Sequence, residues 1–295
     1  MKLRDFAPPI AVDLARRIFA PTTVSPAPMP TRYATYGEAL SHCTERGYEN
    51  ADIVNVVLKK TIRLRDKLQN AQGIQLNSPS ELSLVVVYGL AARASEIRVL
   101  DFGGACGAHY FLARAILPVS CQLRWVVVET TEMAKAASVL ANDELSFSSS
   151  LTDAAASLKP VDLLHTSATL QHVDNPDAWL HVLVSIGASH MLFNRLGLTR
   201  GNHDVITTHT SWLSENGPGE FHSLGIPNRQ VSYPFTFLRE SLFLNVLGLH
   251  YDVVATFADT SGIFPVADEP IAGGGLLARH KAPGWIRGPA SGGSR

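Results

Sequence analysis

The sequence predicts an α/β fold, a doubly wound, seven-stranded, mostly parallel sheet with a helical extension before it. From residue 96 onward, short apolar strand patterns alternate with helical patterns, which is typical of a parallel sheet covered by helices. A glycine-rich turn, Gly103–Gly107, links the first strand to a helix, as in many doubly wound sheets. We therefore expect a helical extension at 1–95, an α/β domain at 96–281 and a disordered Pro/Gly/Ser-rich tail at 282–295.

The composition limits the partners and the compartment. The chain has 295 residues, of which 46% are hydrophobic, so it can bury a sizeable core. The formal net charge of −1 gives no basic surface for nucleic acid. The three cysteines lack the spacing of a disulfide framework or a zinc site, which favours a reduced, cytoplasmic setting. We expect no signal peptide and no transmembrane segment, since no apolar run approaches about 20 residues.

The helical extension contains three predicted helices. The apolar spacing within the first 20 residues predicts the first, and four prolines in 21–30 predict an irregular linker after it. A long helix is predicted from Ala51 to Leu68, with basic residues towards its end. The third opens at Ser78-Pro79-Ser80-Glu81, a capping box with proline at the first helical position, and runs to about Ala94.

The α/β domain alternates strands with helices until a long polar segment interrupts it. This segment, 197–232, is rich in glycine, and segments of that length are often lids or binding loops. A helix is predicted at 234–249, and two further strands follow it. The strands predicted after the glycine-rich turn are 123–129, 145–148, 161–166, 189–196, 251–257 and 274–280.

Glu129 and the glycine-rich turn form the first candidate site. Glu129 ends the second predicted strand, 28 residues after Asp101, where an acid can accept hydrogen bonds from ribose hydroxyls. The dinucleotide pattern G-x-G-x-x-G does not fit, because alanines stand at both later glycine positions. This spacing disfavours an NAD-type oxidoreductase. The pattern that fits is an acid followed by small residues at alternate positions, Asp101-x-Gly103-x-Ala105-x-Gly107.

This pattern resembles motif I of class I S-adenosylmethionine (SAM)-dependent methyltransferases, with alanine in place of the second glycine. A second segment, 162–174, is similar to the fourth-strand segment of the same superfamily, where an apolar strand leads to a Leu-x-His-Val turn. The two strands predicted after 250 match the antiparallel edge that plain Rossmann dehydrogenases lack. The resemblance implies the Rossmann-like class I methyltransferase fold, with SAM as the cofactor.

A narrower resemblance covers nearly the whole chain. Five segments occur in the order found in a bacterial methyltransferase family associated with surface-polysaccharide biosynthesis, which implies a sugar-containing acceptor. At the end of the fifth strand that family leads us to expect Asp-Arg, and this chain has Asn194-Arg195. The matching segments are 5–9, 36–40, 47–48, 99–107 and 232–234.

The resemblance implies a set of cofactor-binding residues along one rim of the sheet. The acid and the small residues of the turn would hold the methionine part of SAM, and Glu129 would hold the ribose. Ser149 and Leu151 would lie near the adenine, and His165 and Thr166 near the reacting centre. The methionine-binding set comprises Asp101, Gly103, Gly104, Ala105 and Gly107.

Three residues are candidates for the acceptor side of the site. His172 is the candidate general base, since it lies in the Leu-x-His-Val turn and histidine titrates near neutral pH; its alternative role is to hold that turn. Arg195 could bind a substrate carboxylate or phosphate, or form a structural ion pair. Tyr233 could stack on a sugar ring. The expected reaction is O-methylation of a sugar, a nucleotide-sugar or another small molecule.

Two departures from the family pattern favour a second class of function. Asn194 replaces an expected acid and Ala105 an expected glycine, so the chain could bind a ligand or partner without catalysing transfer. The histidines of the 197–232 segment show no standard metal-ligand spacing, and no metal is expected. A homodimer is compatible with the sequence, whereas nucleic acid is not an expected partner.

Overall fold

The computed structural model describes residues 30–44, 49–70, 80–259 and 263–281. The expectations for the first 29 residues, for Gly47-Tyr48, for the Ser78-Pro79 cap and for the tail at 282–295 fall outside these ranges. The described residues form three layers, in which helices cover both faces of a central sheet.

Nine β-strands lie in the described ranges. They are β1 (Glu96–Phe102), β2 (Gln122–Val128), β3 (Leu145–Ser148), β4 (Leu163–Ser167), β5 (His190–Thr199), β6 (Val205–Trp212), β7 (Gln230–Arg239), β8 (Tyr251–Ala258) and β9 (Ile271–His280).

All nine strands belong to one sheet, in which seven follow one another in the spatial order β3-β2-β1-β4-β5-β9-β8 and the other two, β7 and β6, join at the end of β5. The first five in this order are parallel neighbours, whereas β9 runs antiparallel to both β5 and β8. An antiparallel strand inserted before the last one is the arrangement that the class I methyltransferase resemblance implies. The predicted fold class is confirmed.

Eight α-helices lie in the same ranges, and seven of them pack against the faces of the sheet. Four helices within 51–137 cover one face of the sheet, and three within 151–248 cover the other. Successive side chains of β1 alternate between the two cores, as a central strand requires: Val99 joins the first and Leu100 the second. The helices are α1 (Tyr36–Ser41), α2 (Ala51–Gln69), α3 (Ser80–Ala91), α4 (Ala108–Ile116), α5 (Thr131–Ala137), α6 (Leu151–Leu158), α7 (Pro176–Ser185) and α8 (Glu240–Gly248).

Two helices of the extension match their predictions closely. The long helix predicted from Ala51 is confirmed as α2. Asn50 caps it, because its side-chain oxygen accepts hydrogen bonds from the N–H groups of Asp52 and Ile53 at 2.7 and 3.3 Å. The next helix, α3, ends at Ala91, slightly before the predicted end. Among the helices described, none is both long and apolar enough to cross a membrane.

The segment after β5 differs from the prediction. The loop predicted at 197–232 is wrong, because this segment contains β6 and the start of β7. The helix predicted at 234–249 is wrong for residues 234–239, which belong to β7, and α8 begins only at Glu240. Every second residue of β7 is apolar, at Val231, Tyr233, Phe235 and Phe237. Pro234 lies inside this run, however, and a proline there argues against a strand. Leu198 and Thr199 at the end of β5 pair with β7, which joins the hairpin to the sheet.

The connection between β6 and β7 is fastened to α2 by Lys60. This side chain is buried, and its ammonium group donates hydrogen bonds to the carbonyl oxygens of Ser214, Asn216 and Gly217 at 2.8 to 3.0 Å. Burial lowers the pKa of Lys60. Because one buried charge binds three carbonyl groups, Lys60 links α2 of the extension to the β6–β7 connection of the α/β domain.

Candidate functional site

The glycine-rich turn lies between the carboxyl end of β1 and the start of α4. Gly103 and Gly107 have left-handed backbones, with φ of +74° and +80°, which glycine adopts without steric cost. Ala105 also has a positive φ, +51°, a conformation that costs an L-residue about 1 kcal/mol or more. No side chain caps α4 at Gly107, so the first-turn N–H groups form a donor set suited to an anionic group.

The strand register brings the predicted cofactor-binding residues to one edge of the sheet. Phe102 at the end of β1 pairs with Val128 on β2 and with Thr166 on β4, and Val128 pairs with Ser148 on β3. The residues that follow these positions therefore meet at the carboxyl edge. Ser149 is exposed there, while Leu151 is buried at the start of α6.

Glu129 lies directly beside the glycine-rich turn. One carboxylate oxygen accepts a hydrogen bond from the Ala105 N–H at 2.9 Å, and the other accepts one from the Thr130 N–H at 3.0 Å. Burial raises the pKa of Glu129, and these two N–H donors oppose that rise. Each carboxylate oxygen can accept a second hydrogen bond, so the group suits a pair of neighbouring hydroxyls.

Asp101 lies beneath the turn and is fully buried. One carboxylate oxygen accepts a hydrogen bond from the Trp125 indole N–H at 3.1 Å, and the other lies 2.8 Å from His165 Nδ1. Burial raises the pKa of Asp101, but its interactions with His165 outweigh this effect, so the pKa falls below its usual value. The carboxylate is engaged within the protein, which favours a supporting role over the direct cofactor contact expected from the sequence.

A buried chain of hydrogen bonds continues from Asp101 to α3. His165 Nε2 lies 2.9 Å from Ser83 Oγ, and the Asn194 side-chain N–H donates to the same oxygen at 2.5 Å. With Asn194 as the donor, the Ser83 hydroxyl donates to His165 Nε2, and His165 Nδ1–H donates to Asp101. All four side chains are at most 2% exposed. The network fixes the tautomer of His165 and ties the extension to the strand ends.

The same network resembles a hydrolase triad in its connectivity, and it includes two of three clustered potential metal ligands. Asp101, His165 and Ser83 have the connectivity of a triad, but a nucleophile must reach its substrate, and Ser83 is buried and accepts from Asn194. Asp101, His109 and His165 place potential ligand atoms within 4.8 Å of one another. Both ring nitrogens of His165 are already in hydrogen bonds, which favours a structural role over metal binding.

His172 follows β4 and faces the hairpin. Its Nδ1 lies 3.2 Å from the Pro234 carbonyl oxygen, so Nδ1 carries the proton and Nε2 is the basic nitrogen. The ring packs edge-on against Tyr233 and Phe235, with centroid separations of 5.1 and 5.2 Å. Burial, with the charges of neighbouring His209 and Arg195, lowers the pKa of His172 to about 3, although the Pro234 contact opposes this. In this state His172 is a weak base.

Tyr233 lies behind the histidines rather than at the surface. It is 4% exposed, its hydroxyl lies 3.1 Å from Ser211 Oγ, and its ring packs edge-on against His172 and His209. The stacking of Tyr233 on a sugar ring, expected from the sequence, is therefore disfavoured because both neighbouring rings belong to the protein. Thr166 is also buried, and its hydroxyl has no hydrogen-bond partner among the described residues.

Sequence reasoning missed two residues that hold the site together, Ser83 and Trp125. Trp125 lies on β2 beside β1, and a tryptophan in an apolar strand next to a strand bearing an acid is a usable signal, since its N–H needs an acceptor when buried. Ser83 gives no local signal, because its partners are His165 and Asn194, far along the chain.

The buried histidines predict acid sensitivity. Burial lowers the pKa of His109 to about 4, as it lowers that of His172 to about 3, whereas unfolded histidine titrates near 6.5. The unfolded chain therefore binds protons that the folded chain does not, and the free energy of unfolding should fall as the pH falls from about 6.5 towards 4. Each such histidine contributes up to roughly 1.4 kcal/mol per pH unit.

Urea unfolding at pH 7 and pH 5 measures this effect. The His172→Gln variant should show a smaller loss between the two values, while His181→Gln, at an exposed position, should match the parent protein. Equal stability of the parent protein at both pH values would contradict the assignment of neutral, buried histidines.

The sequence matches no protein-family model and no curated protein. Solved structures with a similar arrangement include the N-terminal domain of EvdMO1 with SAH bound (TM-score 0.44, 13% identity, 76% of this chain and 97% of that chain). A SAM-dependent methyltransferase from Clostridium acetobutylicum is similar at TM-score 0.42, 12% identity, 75% of this chain and 98% of that chain. CalS10, an amino pentose methyltransferase from Micromonospora echinaspora, is similar at TM-score 0.42, 11% identity, 72% of this chain and 100% of that chain. At these identities and TM-scores, the fold assignment rests on the strand order, and the function rests on the geometry of the site.

Proposed function

We propose that this protein is a SAM-dependent methyltransferase that O-methylates a sugar or another sugar-containing small molecule. The observation that carries the proposal is the position of Glu129, whose carboxylate binds the glycine-rich turn at Ala105 and lies beside an uncapped helix start. An acid for ribose hydroxyls and N–H donors for a carboxylate, a few residues apart, are the groups that SAM requires.

The residues around the turn fit this cofactor. A Cβ atom on Gly103 would come within 2.2 Å of Thr169, and one on Gly104 within 2.4 Å of Asp101, so the turn packs tightly below and leaves its backbone facing the site. In the proposal, Gly103, Gly104, Ala105 and Gly107 bind the methionine part of SAM, with Asp101 and His165 supporting them from beneath. Glu129 binds the ribose, and the lining near the adenine and sulfonium comprises Ser149, Leu151 and Thr166.

The acceptor side supplies orientation and a proton acceptor. When bound, SAM offers an electrophilic methyl group; the acceptor oxygen gains it, the sulfur keeps the electrons of the broken bond, and the hydroxyl proton leaves to a base. His172 Nε2 is the proposed base, since Nδ1 is held by Pro234. Arg195 and the rings around His172 orient the acceptor, which makes alignment the main catalytic contribution.

Replacement of Glu129 tests the cofactor assignment. Glu129→Ala should weaken SAH binding at least tenfold, about 1.4 kcal/mol, because both ribose contacts are lost. Isothermal titration calorimetry with SAH measures this. Glu129→Gln keeps the size of the side chain and should lose less. Glu132→Ala, at an exposed position on α5, is the matched control and should bind SAH as the parent protein does. Unchanged affinity in Glu129→Ala would refute the ribose assignment.

The second candidate function is ligand binding without transfer. It is favoured by the low pKa of His172, which burial lowers to about 3, and by the amide of Asn194 where an acid is expected. Mass spectrometry of reactions with SAM and a panel of sugars separates the two functions. Methylated acceptor and SAH indicate a methyltransferase, whereas SAM binding without either product indicates the ligand-binding role.

A further inference from the structure

Arg195 is presented by a strained section of β5. The pairing of β5 with β9 shifts between Phe193 and Leu196, and Arg195 lies in this bulge with a φ of +54°. Its carbonyl oxygen accepts a hydrogen bond from the Gln171 side chain at 2.8 Å, which holds the bulge against the turn that contains His172. A left-handed backbone at a non-glycine residue is unfavourable, and such strain is common at functional sites.

Among the described residues, the Arg195 guanidinium has no acidic partner. It is exposed, and no carboxylate of the described residues lies within ion-pair distance of it. The two acids nearest the surrounding histidines are engaged elsewhere: Asp101 with Trp125 and His165, and Glu215 with the Trp212 N–H at 2.7 Å. These two carboxylates therefore do not compensate the positive charge of Arg195.

Three histidines on separate elements lie near this charge. Burial is the largest cause of the lowered pKa values of His109, His172 and His209, and the charge of Arg195 adds to each. His109 comes from α4, His172 from the turn after β4 and His209 from β6, so the guanidinium lies where the glycine-rich turn meets the hairpin. His109 Nδ1 is buried without a hydrogen-bond partner in the described residues and lies 3.9 Å from an Asp101 carboxylate oxygen.

We propose that the acceptor carries a carboxylate or phosphate group and that the Arg195 guanidinium binds this oxyanion. The inference rests on the proposed function for the identity of the cofactor, but the oxyanion site itself does not depend on SAM. A guanidinium pairs with either group through two parallel N–H donors. The neutral histidines add hydrogen-bonding groups without competing for the charge. The acceptor class is therefore an acidic sugar or a phosphorylated sugar, as opposed to a neutral one.

Matched sugars test the proposal by calorimetry. Glucuronate and glucose 1-phosphate each add an oxyanion to a glucose ring, and glucose is the neutral reference. We expect the parent protein to bind at least one of the two anionic sugars ten times or more tightly than glucose. Arg195→Gln should remove that preference, Arg195→Lys should keep part of it, and Arg124→Gln should leave it unchanged, since Arg124 donates to the Ser157 carbonyl oxygen on another part of the surface.

The outcomes separate this inference from the proposed function. If only glucose 1-phosphate is preferred, the acceptor is phosphorylated; if only glucuronate is preferred, it is a carboxylated sugar. Equal binding of all three sugars, or an unchanged preference in Arg195→Gln, would overturn the inference. SAH titrations run in parallel should give the same affinity for the parent protein and Arg195→Gln. A lack of SAH binding by the parent protein, with the anion preference intact, would overturn the proposed function alone.

Discussion

Gly104→Ala is expected to destabilise the protein by roughly 3 kcal/mol and to weaken SAH binding at least tenfold. The added methyl group would come within 2.4 Å of an Asp101 carboxylate oxygen, and within 2.9 Å of the other. Asp101 cannot yield easily, because Trp125 and His165 hold both oxygens in a fully buried position. Either the turn or the network must shift. Urea unfolding and calorimetry with SAH measure the two effects.

Gly89→Ala is the matched control for this substitution. Gly89 lies in the interior of α3, and no atom lies within 4 Å of the position of its Cβ. Alanine is the better helix former, so this variant should be more stable by about 0.5–1 kcal/mol. A Gly104→Ala variant that is as stable as the parent protein would mean that Asp101 does not support the turn as described.

Asn194→Asp is expected to destabilise the protein by roughly 3 kcal/mol or more at pH 7, although it restores the acid expected from the family resemblance. Asn194 is 1% exposed and donates to Ser83 Oγ. A carboxylate cannot donate, so the Ser83 hydroxyl would turn towards it and His165 would have to donate through both ring nitrogens. The variant would then bury a second carboxylate, at position 194, and a positively charged imidazolium, at His165.

The pH dependence of Asn194→Asp identifies this cause. Burial should raise the pKa of the introduced acid above its unfolded value of about 3.9, so the folded state binds more protons than the unfolded state. The stability difference from the parent protein should be smallest near pH 4 and should grow as the pH rises.

Asn142→Asp is the control for this substitution. Asn142 is exposed, and its side-chain oxygen accepts hydrogen bonds from two backbone N–H groups at 2.9 Å, so a carboxylate can replace it. A pH-independent loss in Asn194→Asp would refute the donor role of Asn194.

Local patterns predicted much of the fold and part of the site. The alternation of apolar and helical patterns after residue 96 predicted the seven strands of the central sheet. The spacing from Asp101 to Glu129 predicted that the acid would lie beside the glycine-rich turn, and the register of β1 and β2 places it there. These features are predictable because they depend on residues close in the chain and on the fixed geometry of parallel strands.

The hairpin and the buried network could not be predicted in this way. The apolar residues of β7 stand at every second position, but Pro234 lies among them and argues against a strand. The hydrogen bonds of Ser83 with His165 and Asn194 join residues 82 and 111 positions apart. The α/β class, the glycine-rich turn and the position of Glu129 follow from the sequence alone. The support that Asp101 gives the turn, and the lack of an acidic partner for Arg195 among the described residues, are visible only in the folded structure, because both depend on contacts between distant parts of the chain.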